Sequence, residues 1–353
     1  MTSRTTGALL AFVLSLGACN GAAGEESTTT TTPPPPPTTA AASEAVLLAY
    51  SLEAGTTLTY DIEFEIDLEM VVTGDAASLT EGEELPGVLD VTMSGETTLV
   101  YEIKEGPEAG TFEITITGDL TAFEVTGTAD GEPVEEETLP ELVEMDPLEV
   151  NVVVDEQGRV VDDFDPGVGL MSGSIGAFLP GQGSDLARFV GPPMSDSEVK
   201  VGSTWSETVE TQLFLGDPIV TTIESEVTDI TGDGIFLIET TTVVSETSFD
   251  MGTLLIEMFE AFIPEEASEE ELAELESLKE ELRLLFSFDE ATDVMTTRFD
   301  PRLGLAIEAT SEGATHLSMD VNMPDETTGE MVAFSLEMDA FQTVGYRLVD
   351  PPG

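Results

Sequence analysis

Two side chains hold the chain's clearest capacity for nucleophilic and proton-transfer chemistry: a single thiol, Cys19, and a single imidazole, His316. A thiolate attacks and ligates metals, and an imidazole that titrates near neutral pH is the commonest general base. With one Cys there is no internal disulfide framework and no Cys-rich zinc or iron–sulfur site. With one His there is no multi-His metal centre within one chain. His316 sits in Ala314-Thr315-His316-Leu317-Ser318-Met319, on the polar phase of an alternating run, which predicts a surface or strand-edge position rather than a catalytic base. The segment Met171-Ser172-Gly173-Ser174-Ile175-Gly176 comes near a nucleophile elbow, but neither serine has glycine two residues before and two after it. The glycines at 167, 169, 173 and 176 miss the dinucleotide-binding spacing, and no phosphate loop is present.

Carboxylates are the abundant chemistry. Against 72 Asp and Glu stand 10 Lys and Arg, a formal net charge of −62. That excludes nucleic acid as a partner, because phosphate binding is driven by Lys and Arg displacing counterions. Paired acids also serve glycosidases, but such sites hold two acids with pKa values pushed apart, usually beside aromatic sugar platforms; this chain has one Trp. Asp229-Ile230-Thr231-Gly232-Asp233-Gly234 begins like an EF-hand loop, yet its twelfth position is Thr240, with Glu239 one residue early, and both flanks read as strands. A hairpin turn fits better. Asp61, Glu63, Glu65, Asp67 and Glu69 alternate along one run, about 7 Å apart on one strand face. They read as a solvated face suited to a saline environment, or as a surface that holds divalent cations weakly. No catalytic residue, metal ligand or cofactor is assigned, and no enzyme activity is expected.

The elements that carry these residues are strands. Leu58, Tyr60, Ile62, Phe64, Ile66, Leu68 and Met70 share one face and the five acids share the other, the period-two signature of a half-buried antiparallel strand. The same alternation runs through 111–117, 317–323 and 334–338, with turn residues at 105–110, 130–131, 232–234 and 325–329. Hydrophobic residues make up 41 % of the chain, enough to build a core despite the charge. The class is mainly β, with long antiparallel strands.

Three landmarks occur twice in the same order. Glu53-Ala54-Gly55-Thr56-Thr57-Leu58 matches Lys200-Val201-Gly202-Ser203-Thr204-Trp205. The strand–turn–strand of 99–116 matches that of 223–240, and 152–161 matches 297–306. They predict two duplicated halves, forming curved sheets or a half-barrel, at 45–165 and 200–350, joined by a Gly-rich, short-helix connector at 166–199. Two helices are expected in an insertion at 253–287. Leu254–Phe262 ends before Pro264, and Glu269–Phe286 opens with the capping box Ser268 to Glu271 and carries Leu272, Leu275, Leu278, Leu282 and Leu285 at helical spacing. If these helices lid a curved sheet, Trp205, Met258, Phe259 and Phe262 are the candidate lining of an apolar-ligand cavity. Core packing accounts for the same residues.

The amino terminus gives the location. Arg4, the apolar run Gly7–Leu14 and the small residues Gly17 and Ala18 have the layout of an export signal spanning 1–18. That run is too short to cross about 30 Å of hydrocarbon as a helix. Leu16-Gly17-Ala18-Cys19 resembles the lipobox of bacterial lipoproteins. The resemblance implies cleavage between Ala18 and Cys19 and diacylation of Cys19, anchoring the exported chain to the outer face of a membrane. Residues 19–44 follow as a stalk, with Thr28–Thr32 and Pro33–Pro37. Its prolines favour polyproline II; it is either glycosylated or a plain spacer. The Gly-Ser-Thr-Trp strand opening and the paired strand–turn–strand units over roughly 50–349 resemble uncharacterised actinobacteria-like lipoproteins with two β-rich halves. More distantly the architecture is similar to half-barrel lipid carriers of bacterial envelopes, which implies an apolar ligand. The expected role is non-enzymatic, binding or structural.

Overall fold

In a computed structural model of the 353-residue chain, the described residues are 45–74, 87–118, 123–134, 148–159, 161, 191–211, 218–250, 252, 283–289, 291–324 and 331–349. They form fourteen strands: β1 Thr57–Gly74, β2 Val88–Glu105, β3 Thr111–Gly118, β4 Phe123–Ala129, β5 Glu132–Pro133, β6 Leu148–Asp155, β7 Thr204–Thr211, β8 Ile219–Ile230, β9 Phe236–Val244, β10 Thr247–Asp250, β11 Arg283–Phe288, β12 Ala291–Asp300, β13 Leu305–Pro324 and β14 Met331–Leu348. All pair antiparallel in a single sheet, whose main path runs β5-β4-β2-β1-β14-β13-β12-β9-β8-β7 and does not close.

The first and last strands pair over fifteen positions, Tyr60 opposite Leu348 through Gly74 opposite Phe334. Four long strands, β2, β1, β14 and β13, thus make the centre. Each flank forks. β2 pairs β3 through Leu99–Glu105 and β4 through Leu89–Gly95. β13 pairs β12 through residues 305–314 and β11 through residues 317–322. The sheet therefore has two ends, and each has its own core on the same face of the long strands. At one end Leu58, Tyr60, Leu99, Tyr101, Ile114, Ile116, Ile238, Phe299 and Leu305 pack together; at the other, Met70, Phe286, Phe288, Leu317, Met319, Phe334 and Met338 do so. Burying each large apolar side chain contributes about 1.5–3 kcal/mol, and strict alternation holds the register, since a one-residue slip would turn every such side chain to water.

The duplication is visible in hydrogen bonds. In the first copy Gly55 N donates to Ile103 O (2.8 Å) and Ile103 N to Thr56 O (3.0 Å); in the second, Gly202 N donates to Val227 O (2.8 Å) and Val227 N to Ser203 O (3.0 Å). Gly55 and Gly202 hold φ of +90° and +79°, values that glycine adopts without steric cost. The meander β1-β2-β3-β6 is matched by β7-β8-β9-β12. Each closes on an Asp–Gly turn: Gly158 N donates to Asp155 O (2.9 Å), and Gly304 N to Asp300 O (2.8 Å). Both copies belong to one continuous sheet.

One expectation is corrected. The helix expected over Glu269–Phe286 does not reach its end: residues 283–288 are strand β11, with Leu284, Phe286 and Phe288 buried and Leu285 exposed at 41 %. The run satisfies both periods, and pairing Phe286 with Met319 of β13 decides for the strand. Residues 253–282, the stalk and the leader lie outside the described residues, as do 162–165 at the end of the first half and 166–190 of the connector.

Candidate functional site

The four long strands place their acids on the face opposite the cores, and pairing register decides what each acid meets. Thr92 Oγ1 donates to Asp67 Oδ1 (2.6 Å), Thr98 Oγ1 to Asp61 Oδ1 (3.0 Å), Thr128 Oγ1 to Asp90 Oδ2 (2.9 Å) and Ser335 Oγ to Asp320 Oδ1 (2.6 Å). Each bond joins neighbouring strands. Aspartates thus take hydroxyl donors where cations are scarce, and hydrogen bonds to an ionised acceptor are the stronger kind. Two glutamate pairs face one another: Glu63 lies opposite Glu96, and Glu226 opposite Glu239. Glu69 lies opposite both Asp90 and Asp339. Across the middle of this face runs a groove of about 940 Å³ lined by Glu63, Glu65, Ser94, Glu96, Glu124 and Thr343, among others. Its chemistry suits solvated cations and repels anions. Among the described residues no group of three or more His, Cys, Asp or Glu side chains is placed to hold a metal ion.

His316 stands on the same outward face, half-buried, with Nδ1 2.8 Å from Asp339 Oδ1. Asp229 and Ile230 end β8 and Thr231–Gly234 form the β8–β9 hairpin turn, in which Gly234 N donates to Thr231 O (2.9 Å) and Thr231 Oγ1 donates to Asp233. Arg298 and Arg347 converge on Glu308, at 2.7 and 3.8 Å.

The core-facing side carries its own polar groups. Ser311 donates to Asp293, and Ser225 and Thr240 hydroxyls lie 3.0 Å apart. Thr297 Oγ1 is fully buried with no hydrogen-bond partner among the described residues. Three phenols, Tyr50, Tyr60 and Tyr101, have pKa values raised by burial. Asp300 is held below the usual carboxylate range, chiefly by Arg302, whose Nη2 donates to Oδ2 at 2.6 Å.

Of the residues singled out in the sequence, Cys19, Ala18, Met258, Phe259 and Phe262 lie outside the described residues. Trp205 is on β7, half-buried against the first core, with its indole N–H donating to Pro193 O at 2.7 Å. That bond gives the ring a structural task. The Asp–hydroxyl ladder was missed by sequence reasoning. Its only sequence signal is the alternation of Thr and Ser with acids, which does not reveal register.

No family model matches the chain, and no curated protein matches it. Solved structures give low-scoring likenesses. The OpdQ structure of Pseudomonas aeruginosa aligns at 7 % identity and TM-score 0.16, over 83 % of this chain and 98 % of that one. A protein of unknown function from the DUF3598 family of Nostoc punctiforme aligns at 10 % identity and TM-score 0.10, over 82 % and 95 %. An acetoacetate decarboxylase-like enzyme from Sphingomonas wittichii aligns at 10 % identity and TM-score 0.10, over 84 % and 94 %.

Proposed function

We propose that the chain is an exported lipoprotein with a non-enzymatic, binding or structural role, anchored by acyl chains on Cys19 and displayed on the stalk of residues 19–44. One observation carries the reading: the only cysteine of 353 residues directly follows Leu16-Gly17-Ala18 at the end of a short apolar run. Each buried acyl methylene contributes about 0.8 kcal/mol, so two chains hold where one does not.

An apolar-ligand role draws no support from Trp205, whose indole is tied to Pro193 and packed on the core. The test is the intact mass of the protein taken from its own membranes. The reading expects residues 1–18 removed and a diacylglyceryl thioether on Cys19. A free thiol, or a leader still attached in mature material, overturns it.

A further inference from the structure

Between the stalk and β1 lies a segment outside the two matched meanders that touches the closing turn of each. Val46 and Val199 exchange backbone hydrogen bonds of 2.9 and 2.8 Å. Leu48, Tyr50 and Leu52 are buried. Tyr50 N donates to Glu156 O (2.9 Å), inside the Asp–Gly turn of the first copy. The next residue, Ser51, donates its N–H to Gly304 O (3.0 Å), inside the equivalent turn of the second copy. The Tyr50 ring stands edge-on to Phe299 of the second copy, centroids 5.5 Å apart, while its hydroxyl donates to Pro192 O at 2.8 Å.

Room for this segment comes from three glycines, all at positive φ. A Cβ on Gly158 would strike the Tyr50 ring, one on Gly191 the Tyr50 hydroxyl, and one on Gly304 the backbone and side chain of Ser51. The two equivalent turn glycines thus have a task besides turning the chain: each admits one of two consecutive residues of the same segment.

We propose that residues 46–52 are a strap that locks the two copies of the Asp–Gly turn to one another, making their local stabilities interdependent. The lock rests on contacts within the body and stands whether or not Cys19 is acylated. It is held by few hydrogen bonds, all outside the strand ladders, so it opens by local rather than global unfolding. Coupling of this kind is reciprocal, so a disturbance at either turn weakens the other.

Native-state hydrogen exchange on the full chain tests it. Tyr50→Ala is expected to raise exchange at Gly158 and Met194 near the first turn, at Ser51 in the strap itself and at Gly304 in the second turn, by about tenfold. Amides of β4 and β11, at the far end, keep their rates. Gly304→Ala approaches from the other copy and is the second variant should Tyr50→Ala not fold. It is expected to speed exchange at Tyr50 in the strap and at Gly158, the glycine of the other turn. If each substitution accelerates only its own turn, or if exchange rises uniformly over the sheet, the strap does not couple the copies.

Discussion

Neutralising one member of an opposed glutamate pair should stabilise this protein at low salt and do nothing at high salt. Glu63 and Glu96 face each other directly across β1 and β2, both exposed. Opposed residues have Cβ atoms about 5 Å apart. With carboxylates about 6 Å apart in a water-like dielectric, repulsion is about 0.7 kcal/mol. Three further opposed pairs, Glu69–Asp90, Glu69–Asp339 and Glu226–Glu239, bring the local total to about 3 kcal/mol. In 1 M NaCl the screening length falls to about 3 Å, leaving roughly a seventh of each interaction. Unfolding free energy should therefore climb by about 2 kcal/mol between low salt and 1 M NaCl. The assay is urea unfolding, an uncharged denaturant, followed by the fluorescence of Trp205, the only tryptophan. Glu63→Gln, Glu96→Gln and the double variant form a cycle whose coupling isolates the pair. A coupling near 0.7 kcal/mol at low salt that vanishes at 1 M supports the reasoning. A coupling of zero at low salt, or one indifferent to salt, refutes it. Calcium chloride at matched ionic strength separates screening from site binding, since only a site gives stabilisation beyond the sodium curve.

Two predictions concern titrating groups inside the fold. The Tyr50, Tyr60 and Tyr101 phenols have pKa values raised above the ordinary 10.0 by burial. Their protonated forms suit the fold, so stability is intact below pH 10 and is lost as pH rises beyond it. Phenolate absorbance near 295 nm should appear for these three together with unfolding, and a smooth titration without loss of β-sheet circular dichroism would contradict their burial. Asp300 is nearly buried and accepts from Arg302 N, Nε and Nη2. Asp300→Asn should cost about 1.5–3 kcal/mol at neutral pH, the range for hydrogen bonds to a charged group. Because the native carboxyl titrates below its ordinary 3.8, its contribution is full above that value and fades as pH falls through the native one. Wild type and variant should converge in acid, and a gap independent of pH would refute the assignment.

The parts of this fold that could be read from sequence are those written locally. Alternation from Leu58 to Met70 gave β1, its buried face and its acidic face. Asp130-Gly131 and Gly232-Asp233-Gly234 gave hairpin turns because these residues tolerate the turn conformations. Asp130 and Gly131 hold φ of +51° and +80°. The paired landmarks gave the duplication, and Gly55 and Gly202 show why: each copy turns its entry with the same hydrogen bonds. Residues 283–286 were misread because Leu282 and Leu285 extend a helical spacing while Leu284, Phe286 and Phe288 satisfy a strand. Only the neighbouring β13 arbitrates, and β13 lies some thirty residues later in the chain.

Non-local relations were illegible for the same reason. Nothing in the residues of β1 states that its partner is the last strand, although that pairing joins both copies into one sheet. Nor does an acid announce what lies opposite it. Yet the register has a chemical order: Asp61, Asp67, Asp90 and Asp320 each meet a Thr or Ser hydroxyl, while Glu63 and Glu96, and Glu226 and Glu239, lie opposite one another. The short aspartate side chain stays near the backbone, within reach of a hydroxyl on the next strand; the longer glutamate carries its charge outward into higher dielectric. A sheet with so few cations keeps its outward face by this division. Exchanging Asp67 for Glu would keep the charge and lengthen the arm. The division therefore implies that the bond to Thr92 would be lost even though the net charge of −62 is unchanged.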